Sequence, residues 1–335
     1  MRTSIKLPGG RQNGITLIEL MVALAIGSFL IIGAVQIYSQ SRQAFVINES
    51  IARVQETAQF ALDTIEADLR MASNWGLTSR GLAIDGRRMI GAPNPKVLPV
   101  PLTCGEDWSI ELGTPVDGFD NVVGGANIGL PCPPGNPPQA TGQPNSDVLT
   151  VRRASVNPVP LQAGRLQIQS TRIQGEIFAD GNIPPQFNPA TSETHNLMVS
   201  SYYVDTNSGL IPGVPTLRRK ILGIQGANST VFDQEIAPGV ENLQIQFGID
   251  MNEDNTVDRY VNPGAEIYNP EAPGYFPGAR VLTARVWHVV RGLNREVGVD
   301  DQRTYSPANA PAQTFNDEVR RMQVSKTILL RNTRI

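Results

Sequence analysis

An acidic segment at residues 250–258 carries side chains suited to binding a hard cation. Oxygen ligands fall at positions 1, 3, 5, 7 and 9 of this segment, which are Asp250, Asn252, Asp254, Thr256 (through its carbonyl) and Asp258. This spacing is that of the first part of a calcium-binding loop, so the segment predicts a Ca²⁺ site. The glutamate that would close an EF-hand is missing, which predicts weak binding. A solvated acidic turn between two strands is the alternative.

Glu19 is the second candidate, because it is the only ionisable residue in the apolar run from Ile15 to Ile37. As a helix rising about 1.5 Å per residue, this run is long enough to cross a hydrocarbon core of about 30 Å. A carboxylate there costs about 2.5–3.5 kcal/mol on insertion scales, so it indicates a function. The alternatives are a plain single-pass anchor and a secretory signal peptide. A secretory signal has a shorter apolar region and ends at a small-residue cleavage site, which this run lacks.

The segment before the apolar run is basic and short. It contains Arg2, Lys6 and Arg11 and ends at Gly14. Basic flanks stay in the cytoplasm, so the chain from Ile37 onward is expected outside the inner membrane. Loss of the leader would take the formal charge from −3 to −6, because it removes those three cations. A mildly acidic chain has no electrostatic signature of nucleic-acid binding.

The chain has two cysteines, Cys104 and Cys132, and both lie in the part expected to be exported. An oxidising periplasm permits a disulfide between them, and two reduced thiols are the alternative. No histidine lies between them and no C-x-x-C occurs, so a metal site there is not expected.

Catalytic motifs are missing from the sequence. There is no G-x-S-x-G, H-E-x-x-H or P-loop, and the two histidines, His195 and His288, are far apart. We therefore expect no enzymatic activity and no certain cofactor. His288 lies within a predicted strand, which favours packing. A short basic run at residues 218–220 is expected to be a solvated strand face rather than a phosphate contact.

Residues 38–75 are predicted to continue the apolar helix as an amphipathic one. Apolar residues recur at spacings of three and four, which places them on one stripe: Ile47, Ile51, Val54, Ala58, Ala61, Leu62, Ile65 and Leu69. The first half of such a helix belongs in lipid or a filament core, and the second half belongs against its own domain. Gly76 is expected to end the helix.

The rest of the chain divides at about residue 146. Residues 76–146 are rich in Pro and Gly, and we interpret them as a surface excursion that contains the two cysteines, with short strands around residues 108–112. Residues 147–335 alternate apolar and polar side chains in seven segments, which predicts an antiparallel β-sheet domain. These are Asp147–Arg153, Arg165–Ile173, Leu197–Val204, Thr216–Leu222, Val240–Ile249, Arg280–Arg291 and Arg321–Leu330, with a hairpin turn at residues 206–209.

The N-terminal pattern resembles the prepilin signal of the type IV pilin superfamily. Gly14 ends a basic leader, and Glu19 is the fifth residue after it. The resemblance implies cleavage after Gly14 by a prepilin peptidase, N-methylation of Ile15, and pairing of Glu19 with the charged terminus of a neighbouring subunit. It also implies an α+β pilin-like fold, in which the long helix packs on an antiparallel sheet. The implied organisation is leader 1–14, membrane or filament-core helix 15–37, amphipathic helix 38–75, excursion 76–146 and sheet domain 147–335.

Three internal phrases resemble PilW-type minor pilins: the segment from Asp147, PGVENLQIQFGIDMNEDNTVDRY at residues 238–260, and the closing strand ending at Asn332. This resemblance implies a subunit that primes or caps a type IV pilus with other minor pilins and the major pilin. It would reside in the inner membrane and then in the pilus, where twitching motility, adhesion and DNA uptake are supported. A minor pseudopilin of type II secretion and a pilus-tip receptor for surfaces or DNA are the alternatives.

Overall fold

The computed structural model of the chain describes residues 14–89, 98–105, 107–134, 141–296, 298–299 and 301–333. Residues 1–13 of the predicted leader lie outside the described residues, as do parts of the excursion. The chain separates into two compact units, Met1–Ile51 and Ala52–Ile335.

The N-terminal helix, α1, spans Leu17–Met71 and is the longest element. In the first unit its apolar side chains, from Ile15 to Ile37, are exposed. It is the one helix among the described residues that is long and apolar enough to cross a membrane. Burying so much apolar surface requires lipid or other helices, because the unit offers no core of its own.

In the second unit, residues 52–71 of α1 pack on the sheet domain through the predicted stripe. Six stripe residues are buried there: Val54, Ala58, Ala61, Leu62, Ile65 and Leu69. The helix ends at Met71, earlier than the predicted end at Gly76, and Ser73 takes the left-handed conformation (φ 64°) two residues after it. The helix–sheet arrangement confirms the predicted α+β, pilin-like fold class.

The described residues of the sheet domain form fourteen strands and one further short helix, α2 (Asp107–Ile110). The strands are β1 (Ile84–Asp85), β2 (Val116–Phe119), β3 (Val148–Ala154), β4 (Gln167–Ser170), β5 (Gly175–Phe178), β6 (Glu193–Asp205), β7 (Thr216–Gln225), β8 (Asn228–Pro238), β9 (Val240–Asp250), β10 (Arg259–Val261), β11 (Arg280–Arg291), β12 (Thr304–Tyr305), β13 (Gln313–Thr314) and β14 (Arg321–Leu329). Short 3₁₀ helices occur at Gly81–Ala83, Leu102–Cys104, Glu266–Tyr268 and Arg331–Thr333.

Three sheets are present among these strands. The largest has eight strands in the order β1-β5-β4-β6-β3-β2, with β7 and β8 added through β6. A second has four in the order β10-β9-β11-β14, and β12 pairs with β13. All the pairs are antiparallel except β1 with β5, which is parallel. The predicted hairpin is the β6–β7 pair.

The main hydrophobic core lies between the buried face of α1 and the sheets. The four-stranded sheet contributes alternate residues of β9 and β11, among them Leu243, Ile245, Phe247, Ala284 and Val286. The period-2 alternation of these strands therefore sends one set of side chains toward the helix. A second hydrophobic cluster surrounds Trp75 and the disulfide.

Ion pairs lock the helix to the sheets. Asp68, 4 % exposed, accepts hydrogen bonds from Arg153 at 2.9 and 3.0 Å and from the Tyr202 hydroxyl at 2.7 Å. Glu66 pairs with Lys326 of β14, and that ammonium holds the pKa of the Glu66 carboxyl below its ordinary value. These contacts fix how far along the sheets the helix sits, because charged hydrogen bonds are directional.

The Pro- and Gly-rich excursion is more than a surface loop. A disulfide joins Cys104 to Cys132, which confirms the predicted pairing. Several of its described side chains are fully buried in the second cluster, including Ile110, Leu112 and Ile128. The expected short strand around Trp108 is wrong, because residues 107–110 form α2. The excursion thus supplies part of a core that its composition alone did not indicate.

All seven predicted strands correspond to strands of the structure, namely β3, β4, β6, β7, β9, β11 and β14. The longest strand that the sequence patterns missed is β8, whose side chains are mostly half-buried or exposed. It pairs along the whole of β7. Its place in the sheet depends on charged partners in β7, which a hydrophobic pattern does not reveal.

Candidate functional site

The start of α1 is a reciprocal capping arrangement between Thr16 and Glu19. The Thr16 N–H and hydroxyl donate to Glu19 Oε2 at 3.0 and 2.9 Å, and the Glu19 N–H donates to the Thr16 hydroxyl at 3.3 Å. This is a capping box, in which a Thr and a Glu three residues later satisfy N–H groups that the helix leaves unpaired. The Thr-x-x-Glu spacing signals it in the sequence, and the sequence analysis missed it.

Next to this capping box, the predicted cleavage site is an exposed, non-helical segment. Gly14 and Ile15 precede the helix, and the Ile15 side chain is 77 % exposed. Oε1 of Glu19 accepts no hydrogen bond from the described residues, whereas Oε2 accepts two from Thr16. Because a carboxylate offers about four acceptor positions, the capped Glu19 retains capacity for a further donor.

The acidic segment forms the turn between β9 and β10 and is closed by its own hydrogen bonds. Asp250 Oδ2 accepts from the Asn255 N–H at 2.9 Å and from Arg280 Nε and Nη2 at 3.1 and 3.0 Å. Asp254 Oδ1 accepts from the Thr256 N–H at 2.7 Å. Asn255 has a φ of 63°, the left-handed conformation expected of asparagine at that position.

In this turn the Arg280 guanidinium binds the Asp250 carboxylate, which is the first of the predicted calcium ligands. Burial opposes ionisation of Asp250, but hydrogen bonds from Arg280 and from the N–H groups of Asn255 and Asn252 hold its pKa below its ordinary value. Asp258 Oδ2 instead accepts from the Met251 N–H at 2.7 Å. Among the described residues no three His, Cys, Asp or Glu side chains are arranged to hold a metal ion. Calcium binding by residues 250–258 stays a prediction. A bound ion would have to displace Arg280 from Asp250 or use other oxygen atoms of the turn.

The calcium prediction can be tested separately from the structural role of Asp250. Asp250→Ala should lower the melting temperature of the full chain in detergent by several degrees in EGTA as well as in calcium, because it leaves Arg280 without its buried partner. Asp254→Ala, at an exposed position, should lower the melting temperature only in calcium if the loop binds the ion. Identical wild-type melting curves in EGTA and in calcium would contradict the calcium prediction.

The two histidines lie in different surroundings. His195 Nδ1 lies 2.8 Å from the Ser155 carbonyl oxygen, and its Nε2 lies 3.2 Å from Glu193 Oε2. His288 is fully buried in β11, and neither ring nitrogen has a hydrogen-bond partner among the described residues. Desolvation lowers the pKa of His288 to about 3. The two do not come together in one site.

The basic run of β7 is neither solvated nor open to phosphate. Arg218 and Lys220 both pair with Asp233 of β8, at 2.7 Å each, and Arg219 Nη1 lies 3.9 Å from the Asp68 carboxylate. The expectation of a solvated strand face is therefore wrong, because Arg218 and Lys220 are buried as ion pairs with β8 and the half-buried Arg219 faces Asp68 of α1.

Two family comparisons match this chain. The type IV pilus-assembly protein W family matches residues 201–332, which run from the second half of β6 to the last 3₁₀ helix. The prokaryotic N-terminal methylation motif matches residues 9–35, which include Gly14, Ile15 and Glu19. The phrase at residues 147–153 lies outside both matches. No significant match was found among curated proteins or among solved structures.

The two matched regions correspond to two separate parts of the structure. The methylation motif covers the exposed terminus and the apolar part of α1, and the second match covers the four-stranded sheet on which residues 52–71 pack. A prepilin-type terminus on an α+β domain of this kind is the organisation of pilins. The chain is therefore similar to type IV pilins: it carries a prepilin-type methylation motif at residues 9–35 and resembles the type IV pilus-assembly protein W family over residues 201–332.

Proposed function

We propose that this chain is a minor type IV pilin that primes or caps the pilus together with other minor pilins and the major pilin. A prepilin peptidase would cleave after Gly14 and leave Ile15 as an N-methylated terminus. The chain would first span the inner membrane with its sheet domain in the periplasm, and would then enter the pilus at the cell surface. Its role is structural assembly rather than catalysis.

The observation that carries this proposal is the Thr16–Glu19 capping box beside the Gly14–Ile15 bond. Cleavage there would create an ammonium group one residue before the capped turn. Within the described residues Oε1 of Glu19 accepts no hydrogen bond, and in an apolar environment the carboxylate gains most from a charged partner. The terminus of a neighbouring subunit is such a partner. Glu19 would then cap its own helix and, at the same time, bind the terminal ammonium group of the neighbouring subunit.

Two alternatives use parts of the same structure. A minor pseudopilin of type II secretion would share the signal, helix and sheet, and the match to the pilus-assembly family favours the pilus system. A pilus-tip receptor should present basic or aromatic groups in the excursion. There Arg87 pairs with Glu271, Arg88 pairs with Asp107, and Trp108 is buried. These contacts favour a structural role for the excursion.

Glu19→Ala should leave membrane insertion intact and reduce piliation and co-purification of other pilins by about tenfold or more, since a buried ion pair would be lost. Glu19→Gln separates the two roles of the side chain, because an amide oxygen still accepts from Thr16 but carries no charge. We expect Glu19→Gln to be as defective as Glu19→Ala. Normal piliation of both variants would overturn the assembly role, and normal piliation of Glu19→Gln alone would reduce Glu19 to a helix cap.

A further inference from the structure

The C-terminal strand β14 is an edge strand of the four-stranded sheet, where it pairs with β11 alone. Its register places Thr283 opposite Leu329 and Arg291 opposite Arg321. Just beyond the two ends, the Leu330 N–H donates to the Leu282 carbonyl, and the Gly292 N–H donates to the Arg320 carbonyl. In antiparallel pairs, alternate residues direct both backbone groups to the partner strand. Even-numbered residues of β14 therefore bond to β11, and odd-numbered residues direct their N–H and C=O groups outward.

The outward groups differ along the strand. The Arg321 carbonyl accepts from Arg303 Nη2 at 2.7 Å and from the Tyr305 hydroxyl at 3.1 Å, so that end is covered. Beyond it, four outward residues make no backbone hydrogen bond to the described part of the chain, and their side chains are exposed. They are Gln323, Ser325, Thr327 and Leu329, and we call their outward backbone groups the β14 edge.

Soluble proteins usually protect such an edge with proline, charge or a bulge. The β14 strand contains no proline, its pairing with β11 is regular, and the side chains on its exposed face are uncharged. Lys326 is the one charged residue within 322–329. Its ammonium is held by Glu66 and Asp63 of α1, so it does not repel an incoming strand. An unprotected row of donors and acceptors matches the backbone of another extended strand.

A second copy of this chain is a poor occupant of the edge. Residues 52–71 of α1 run in the same direction as β14, since Glu66 contacts Lys326 and the Ala72 carbonyl accepts from Asn332 Nδ2. A closed pairing of two identical edges is antiparallel. The two copies would then have opposed helices, and the chain ends entering at residue 52 would point in opposite directions. Subunits of one pilus point in one direction along the fibre, so a second copy paired in this way does not fit the proposed assembly.

We infer that the β14 edge receives an extended strand from a different pilus subunit, by β-strand addition. This inference rests on the proposed function, because it requires neighbouring subunits. The four outward residues offer main-chain hydrogen bonds to a strand of similar length, and their uncharged side chains place no charge requirement on it. An interface of one strand is small, so it would act together with helix contacts. The edge would set which face of this subunit meets its neighbour.

Proline at the edge provides a test with the full chain in its native host. Ser325→Pro removes an outward N–H that β11 does not use, so an edge strand should tolerate it. We expect a folded, processed variant whose co-purification with other pilins falls by about tenfold or more, because the backbone pairing is blocked. The matched control Ser325→Ala keeps the N–H and should behave as wild type. Equal complex formation by folded Ser325→Pro, or an equal loss with Ser325→Ala, would overturn the inference.

Hydrogen exchange in the wild-type chain gives an answer even if the proline variant fails to fold. In the unassembled chain, peptides covering residues 322–329 should protect about half of their amides, and assembly should protect the remainder. Unchanged exchange of these amides on assembly would refute β-strand addition. A complex that contains only copies of this chain and is lost in Ser325→Pro would also refute the inference, because the partner would not be a different subunit. Glu19→Ala distinguishes the two proposals. If Glu19→Ala loses assembly and Ser325→Pro does not, only the inference of strand addition at the β14 edge is refuted. If neither variant loses assembly, the proposed pilin role is refuted.

Discussion

Replacing Asp68 with alanine should lower the free energy of unfolding of the chain in detergent by about 3–5 kcal/mol, because it removes a buried carboxylate that two half-buried guanidinium groups and a buried hydroxyl face. Asp68 lies on the buried face of α1 and is the acceptor for Arg153 and for the Tyr202 hydroxyl. Arg219 Nη1 lies 3.9 Å from the same carboxylate. Removal of one anion therefore affects strands β3, β6 and β7 at once. Urea unfolding followed by circular dichroism measures the loss.

A nearby carboxylate on the same helix provides the control. Asp63 is about half exposed, and its contact with Lys326 at 3.5 Å is long. Exposed ion pairs contribute about 0–1 kcal/mol, so Asp63→Ala should cost little. Asp68→Asn should cost less than Asp68→Ala, because an amide oxygen can still accept one hydrogen bond. If Asp68→Ala and Asp63→Ala have similar effects, the helix is held by its apolar stripe alone.

Acidification should destabilise the domain through His288. Its buried ring has no hydrogen-bond partner in the part of the chain that the structure describes, and desolvation lowers its pKa from 6.5 to about 3. Below pH 6.5 the unfolded chain therefore binds a proton that the folded chain does not. The free energy of unfolding should fall by about 1.4 kcal/mol per pH unit as the pH drops from 6.5 toward 3, and this effect is absent above pH 6.5.

His288→Leu should remove this dependence, because leucine does not titrate and fills a similar apolar space. The difference in stability between the variant and the wild type should grow by about 2–3 kcal/mol between pH 7 and pH 4.5 in favour of the variant. Comparing the variant with the wild type removes the effect of Asp147, which changes the free energy of unfolding with pH in the opposite direction to His288. Burial raises the pKa of the Asp147 carboxyl from 3.8 to about 7, so its contribution to the free energy of unfolding falls as the pH rises from 3.8 to about 7. A difference that does not change with pH would show that His288 is solvated or paired.

Much of the architecture could be predicted from local patterns. The spacing of Val54, Ala58 and Leu62 places them on one helix face, and they face the core. The alternation in residues 240–249 and 280–291 predicts β9 and β11, which form the centre of the four-stranded sheet. These predictions succeeded because periodicity reports which side of an element is buried.

Other features depend on residues far apart in the chain. Asp68 and its partner Arg153 are separated by 85 residues, and Glu66 and Lys326 by 260. Polar positions on a helix are expected to face solvent, so burial of Asp68 cannot be read from its helix alone. The strand β8 was missed for the same reason, since Asp233 belongs in the sheet only beside Arg218 and Lys220 of β7.

The candidate site was predicted in part. Glu19 stands out in the sequence as an ionisable residue in an apolar run, and the structure adds its contacts with Thr16. The acidic segment shows the opposite case. Its oxygen spacing predicts a calcium loop, but Arg280, 30 residues away, binds the first carboxylate of that series. Spacing describes the ligands that a loop offers and not the side chains that compete for them.

The N-terminal peptide of membrane-purified protein, from a host with an active prepilin peptidase, tests the central claim most directly. Mass spectrometry should find a peptide that begins at Ile15 and carries an N-methyl group, because cleavage after Gly14 and methylation define the pilin route. A peptide that still begins in the basic leader, beside correctly processed major pilin in the same cells, would contradict the account and make the chain a simple membrane-anchored protein.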